Sequence, residues 1–282
     1  MDLEKILPTN GPSTNEVKKY IEKYLEEIIV IKCGGSVLLD ENLFKQFIED
    51  VSVIYKLGLS VIVVHGGGKN IKKKLDKLNI ESKFINGLRV TDEITVKVVE
   101  EALLELNSEI INNLKNLQTN AESIAPHNKN IIKVKPEKKE LGFVGSPKEI
   151  DLKDILKIIT EKKVPVVVPM GTSDDKKIYN INADIAAGSV AKEINSRRLL
   201  LMTDVEGVLD KNKKLIPEIN SSIAEKMLKD GDISGGMIPK INTCLDAVNN
   251  GVTGVVIVDG RKPHSILFEL FSDKGAGTLI RK

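Results

Sequence analysis

Short runs rich in Val and Ile recur along the chain, separated by longer stretches in which polar residues interrupt the apolar ones. The runs stand at Ile28–Lys32, Ser60–His65, Val164–Pro169, Leu199–Thr203 and Val255–Asp259. Their length and β-branched content are those of buried strands. Between them, apolar residues return every three or four positions over Leu43–Leu57, Ile71–Leu78, Ile94–Leu117, Leu152–Glu161, Ala183–Ile194 and Ile238–Asn249, which predicts helices with one apolar face. Continuously apolar strands alternating with such helices predict an α/β fold whose largely parallel sheet is covered on both faces. Near the middle the pattern shortens. Asn86-Gly87 is a hairpin signal and Gly142–Pro147 a turn region, so β-hairpins attached to the sheet are expected there, not a separate domain.

The segment up to about Asn15 contains Pro, Asn, Gly, Ser and Thr and is expected to be disordered. From Val17 to Glu27, residues Val17, Tyr20, Ile21, Tyr24 and Leu25 share one helical face. That helix precedes the first strand, so it need not belong to the layers of the sheet. It suits a packed leader helix and an oligomerisation arm equally well. The length of 282 residues allows one large domain or two intimate lobes.

Composition narrows the function classes. A formal net charge of +2 gives no global field to recruit nucleic acid or an anionic membrane. The two cysteines, Cys33 and Cys244, form no CxxC pair or zinc spacing, which excludes a disulfide scaffold and favours a reducing compartment. No run approaches the roughly 18 apolar residues of a membrane span, and the N-terminus lacks the apolar core of a secretory signal. A soluble cytoplasmic protein is expected, with an organelle stroma as the alternative.

Two glycine clusters follow strand ends. In IKCGGS, Lys32 precedes Gly34-Gly35, which turn the chain toward the Asp40–Leu57 helix; in VVHGGGKN, His65 ends a strand and Gly66-Gly67-Gly68 open the Lys69–Leu78 helix. Glycine turns at strand ends followed by a helix N-terminus expose N–H groups suited to phosphate. One such turn is a weak signal, and two at successive strand ends are stronger. Neither fits the Walker A or GxGxxG spacing. The polar residues of Tyr179-Asn180-Ile181-Asn182-Ala183-Asp184 exceed what one helix cap requires. Thr203–Val208 leaves a strand with Asp204, Glu206 and Gly207. In Gly235-Gly236-Met237-Ile238-Pro239-Lys240, a Lys near a helix start is unfavourable unless an anion sits there. His127, the lysines around Lys72 and Lys135, and the Asn220-Ser221-Ser222 triplet read as solvated surface. No Ser/His/Asp or Cys/His set stands out, and no metal-ligand set is expected.

Taken in order, K-x-GG at Lys32–Gly35, HGGG, NGLRVTD at Asn86–Asp92, YNINAD, TDVEGV and GGMIPK resemble the amino acid kinase family. The likeness runs from Ile28 to Ile280. NGLRVTD, YNINADIAAG and the closing DGRKPHS and GAGTLI distinguish the chain from members acting on carbamate, uridylate or glutamate. The resemblance implies an open αβα sandwich with a mainly parallel central sheet plus β-hairpins. It implies a leader over residues 1–27 and a kinase domain over 28–282, with an acyl-amino-acid lobe up to about 175 and an ATP lobe from about 176. The implied reaction is phosphoryl transfer from MgATP to the γ-carboxylate of N-acetyl-L-glutamate, within arginine biosynthesis. Lys32 and Lys240 match the family's transition-state lysines, and Asp184 the carboxylate that holds them. Substrate recognition maps to Gly67, Gly68, Arg89 and Asn180. ATP binding maps to Gly34, Gly35, Asp204, Gly207, Leu209, Ser234 and Gly236, with Mg²⁺ held mainly through phosphates.

The leader helix and the stretch bearing His264, Glu269 and Gly275 resemble the arm and effector region of members inhibited by L-arginine. Those members assemble as hexamers, so a homo-oligomer is implied, dimeric or hexameric through the N-terminal helix. The chain departs from the family at Cys33, where Tyr is frequent, and over SIAPHNKNIIKV at Ser123–Val134. Two rival functions share these motifs: a kinase for a longer or carrier-bound acid such as an aminoadipate, and an inactive amino-acid sensor. Retention of Lys32, Asp184 and Lys240 together counts against the sensor, which needs none of them.

Overall fold

A computed structural model describes residues 2–282. Its strands are β1 Ile28–Cys33, β2 Ser60–His65, β3 Phe84–Ile85, β4 Leu88–Arg89, β5 Ala121–Ile124, β6 Ile132–Pro136, β7 Gly145–Ile150, β8 Val164–Val167, β9 Met170–Thr172, β10 Ile178–Asn180, β11 Arg198–Thr203, β12 Glu218–Asn220, β13 Val255–Asp259 and β14 Gly277–Arg281. The helices are α1 Leu3–Ile6, α2 Thr14–Ile21, α3 Glu41–Lys56, α4 Gly68–Lys77, α5 Glu93–Asn116, α6 Lys153–Thr160, α7 Ala183–Glu193, α8 Ser221–Lys229, α9 Met237–Asn249 and α10 Ser265–Phe271.

The main sheet has eight strands in the order β12-β14-β13-β11-β1-β2-β8-β5. Every neighbouring pair is parallel except β13 with β14. Because side chains alternate across a strand, each central strand feeds both faces. On β1, Ile29, Ile31 and Cys33 join the core shared with α3, α5 and α10, whereas Val30 joins the core shared with α6, α7, α8 and α9. Lys32 has the same parity as Val30 and so points to the α7–α9 side. The expected αβα sandwich is thus present. A second sheet, β10-β9-β6-β7, lies beside α7, and a hairpin of β3 and β4 turns through Asn86 and Gly87, both at positive φ.

Three expectations are corrected. The segment before Asn15 is not disordered: α1 forms, and Leu3, Ile6 and Leu7 pack against the α3–α10 core. The leader helix is shorter than Val17–Glu27, running as α2 from a Ser13–Glu16 capping box to Ile21 with a 3-10 turn to Tyr24. Its apolar face docks on its own chain: Val17 and Tyr24 are buried, the Tyr24 ring stands edge-on to Phe271 at 6.0 Å, and Leu25 is left outside. The Gly142–Pro147 region is a turn only at its start, since Gly145 opens β7. The Ser123–Val134 segment turns at Ala125–Asn128, where Asn128 Oδ1 accepts the Ala125 N–H, and leads into β6.

Candidate active site

Parallel strands end together, and the loops after β1 and β2 meet the N-termini of α7 and α9 at the carboxyl edge of the sheet, where ligands of open α/β sheets bind. The two glycine loops are tied to each other, since Gly66 N–H donates to the Cys33 carbonyl at 2.7 Å. One cleft is lined by Lys32, Gly34, Gly35, Gly67, Gly68, Arg89, Asn180 and Asp184, among others. Residues from four separate sequence motifs thus converge on one cavity.

Two of its lining residues, Lys32 and Asp184, belong to a charge cluster that Lys240 completes from outside the cleft lining. Asp184 pairs with Lys32 Nζ through Oδ1 at 2.9 Å and with Lys240 Nζ through Oδ2 at 2.5 Å. All three side chains are less than a fifth exposed. Burial acts to raise the Asp184 pKa, but Lys32 and Lys240 outweigh it and hold the carboxyl well below the usual range. The helix cap is supplied by Asn182, whose Oδ1 accepts N–H bonds from Asp184 and Ile185, which leaves the Asp184 carboxylate for the lysines. Lys240 enters from the first turns of α9, as the helix-start position anticipated. A Cβ on Gly34 would stand 2.6 Å from Lys32 Nζ, so a side chain there would displace the ammonium group that pairs with Asp184.

On the opposite wall, Arg89 is 6% exposed. Its Nη2 donates to the Gly68 carbonyl at 2.9 Å and its Nη1 to the Ser82 hydroxyl, while Phe84 covers the guanidinium at 4.7 Å. Among the described residues no carboxylate pairs with it, so a buried cation faces the cleft with donors to spare. Such a group suits a carboxylate ligand.

The expected nucleotide residues divide. Asp204 lies beside the first glycine loop, accepting the Ser36 N–H at 2.9 Å with Lys69 Nζ 3.9 Å away. Gly35 takes φ +66° next to that carboxylate. Gly207 instead packs against Thr278, Leu209 pairs with Leu215, and Ser234 and Gly236 lie in the exposed loop before α9. None of these four borders the cleft. A Lys211–Asp232 contact of 3.5 Å joins their two loops.

The effector candidates form two places. His264 pairs with Asp50 at 2.6 Å, while Glu269 accepts the Ala276 N–H at 2.7 Å beside Gly275. Burial raises the Asp50 carboxyl to about 6, and the Asp50 bond raises the His264 imidazole. Sequence reasoning did not find Asp50, Phe84, Ser82, or the Asn107 side chain that meets His65. None belongs to a glycine or charge motif, and each partner is distant in sequence or on a hairpin whose side-chain directions require coordinates.

The amino acid kinase family model matches residues 27–259. An acetylglutamate kinase of Pelagibacter ubique is 57% identical over 281 residues, spanning 100% of this chain and 98% of that protein. One from Nitrobacter winogradskyi is 43% identical, spanning 95% of each chain. In structure, N-acetylglutamate synthase from Neisseria gonorrhoeae, complexed with coenzyme A and N-acetyl-glutamate, superposes with a TM-score of 0.86 at 21% identity. It covers 95% of this chain, which spans 62% of the synthase chain.

Proposed function

This chain belongs to the amino acid kinase family, and from that premise we propose that it transfers a phosphoryl group from MgATP to the γ-carboxylate of N-acetyl-L-glutamate. The observation that carries this is that Lys32 and Asp184 share one cleft with Arg89, while Lys240 is tied to the same Asp184 carboxylate. Arg89, with Asn180 beside it, supports holding the α-carboxylate of the acid. The γ-carboxylate oxygen then attacks the γ-phosphorus, the bond from that phosphorus to the β,γ-bridging oxygen breaks, and ADP leaves with its electron pair.

No proton need move between protein and reactants. The demand is on positioning two anions and neutralising the charge that spreads over the transferring group. Lys32 and Lys240, entering from different elements, meet that demand, and Asp184 keeps both ammonium groups in one geometry. The N–H groups of Gly34, Gly35 and Gly67 suit the phosphate oxygens. The Asp204–Leu209 and Ser234–Gly236 loops suit the adenosine end.

Among the described residues no group of three or more His, Cys, Asp or Glu gathers to hold a metal, and Asp184 is taken up by two ammonium groups. Mg²⁺ would be held mainly by the nucleotide phosphates and would supply neutralisation of their charge. We assign the chain a cytoplasmic place in arginine biosynthesis, with feedback by L-arginine through the α2–α10 region. A homo-oligomer would be built on the outward face of α2, which carries Asn15, Lys18 and Lys19.

The test is ADP release coupled to hydroxylamine trapping with N-acetyl-L-glutamate, with and without L-arginine. Hydroxamate formed and suppressed by arginine is expected. Hydroxamate without suppression removes the effector assignment and leaves the kinase. Hydroxamate only with an aminoadipate-type acid overturns the substrate assignment.

A further inference from the structure

His65 stands at the end of β2, fully buried and outside the cleft wall, and the reaction as derived does not use it. We propose that His65, itself held by Asn107, is a positioning residue that sets the direction of the Gly67 N–H donor.

His65 Nδ1 lies 2.9 Å from the Gly66 carbonyl oxygen. A carbonyl only accepts, so Nδ1 carries the proton. Nε2 is then bare, and it receives an N–H from Asn107 Nδ2 at 3.1 Å. The same Nδ2 gives its second hydrogen to the Val166 carbonyl at 3.0 Å. With two acceptors facing one nitrogen, the amide of Asn107 has a single consistent orientation. Asn107, 1% exposed on α5, thereby anchors the imidazole to β8. Burial pulls the imidazole pKa down to about 4, in keeping with a neutral ring in one tautomer.

The consequence lies in the next peptide. In a planar trans peptide the C=O and N–H point in opposite directions. The Gly66 carbonyl is turned inward onto His65, so the Gly67 N–H is turned outward to the cleft. Glycines on both sides make reversal of this peptide sterically cheap. Gly67 has no side chain to hold it, and a Cβ there would stand 2.5 Å from Cδ2 of the buried Leu103, which would have to shift. The hydrogen bond from His65 is therefore what selects one orientation, because the reversed peptide leaves the ring N–H buried without an acceptor.

The catalytic consequence rests on the kinase reading above; the geometry does not. Two substitutions separate the donor from the bulk. The Asn amide nitrogen stems from Cγ as Nδ1 does, so His65→Asn keeps the donor to Gly66. The Gln amide reaches the Nε2 position instead, so His65→Gln keeps the Asn107 side and loses that donor. In the full-length protein we expect His65→Gln to lower kcat about 10- to 100-fold with both KM values within about threefold, as for a donor used when charge develops. His65→Asn should stay within about fivefold of wild type. Wild-type kcat in folded His65→Gln overturns the inference, as does an equal fall in both variants that tracks their melting temperatures.

¹⁵N spectroscopy of the wild-type imidazole gives a second readout that needs no turnover. Nδ1 protonated and Nε2 bare is expected, and the opposite tautomer overturns the inference even if neither variant folds. If the wild type makes no acyl phosphate, the kinase reading fails, while the tautomer still decides the His65 geometry.

Discussion

Replacing Asp184 by Asn removes the one charge that two lysines share. The carboxylate stands 2.9 Å from Lys32 Nζ and 2.5 Å from Lys240 Nζ. At an effective dielectric near 20, each contact is about 6 kcal/mol before desolvation is subtracted. Removing the partner of a buried charge costs a net of about 3–5 kcal/mol. For a chain of this size that lowers the melting temperature by about 5–10 °C. The lysines also lose their common anchor, and a misplaced donor to the transferring phosphoryl group costs about 10²–10³ in kcat.

Nucleotide phosphates return negative charge to the same two ammonium groups. MgATP should therefore raise the melting temperature of Asp184→Asn by more than it raises that of the wild type. Hydroxamate formation and thermal melts with and without MgATP read both effects. Wild-type kcat in the variant would refute the account of the cluster. So would a variant that gains no more from nucleotide than the wild type does.

Three further outcomes are expected. Arg89→Lys keeps the charge but loses the planar fork, so KM for N-acetyl-L-glutamate should rise about 10- to 100-fold, the equivalent of about 1.5–3 kcal/mol for a charge-assisted contact, with kcat changed less; steady-state kinetics check it. Gly277→Ala places a Cβ 2.0 Å from the Ile257 carbonyl oxygen and should cost at least about 2 kcal/mol. Gly87→Ala, with φ +81° and nothing within 4 Å, should cost about 1 kcal/mol, and urea midpoints compare the two. His65 has its folded pKa depressed to about 4, so its contribution is complete above about pH 6.5 and is lost as pH falls toward 4. The loss amounts to about 3 kcal/mol. Asp50, raised to about 6, acts with the opposite sign, so the difference in urea midpoint between wild type and His65→Asn at pH 7 and 4.5 isolates the His65 part.

The sheet's centre was legible because β1, β2, β8, β11 and β13 are continuous apolar runs, a pattern needing no partner to be recognised. β12 and β14 were not read, since three residues and a Gly-started five-residue strand carry little periodicity by themselves. The leader misled in two ways. Its composition predicted disorder, yet Leu3, Ile6 and Leu7 suffice to fix it when a core is available. Its apolar stripe predicts helix as far as Leu25, though the α-helix ends at Ile21 and the 3-10 turn that follows ends at Tyr24. At the site, each glycine loop and each charged residue was visible in its own motif. The convergence of the two N-terminal glycine loops, Lys32, Arg89 and Asp184 on one cleft, and the pairing of Asp184 with both lysines, required the fold. The His65–Asn107 and Asp50–His264 pairs stayed hidden because separations of 42 and 214 residues leave no local trace.

The placement of β14 bears on how the chain matures during synthesis. It is the last strand of the sheet to leave the ribosome, yet it lies between β12 and β13 rather than at a rim. Until it arrives, β12 has no neighbour and β13 exposes an open hydrogen-bonding edge, the kind of template that recruits foreign strands. The five strands from β5 to β11 can pair before then. Completion of the sheet, and with it the burial of Ile280 against the α7–α9 core, waits on a five-residue segment inserted between strands already made.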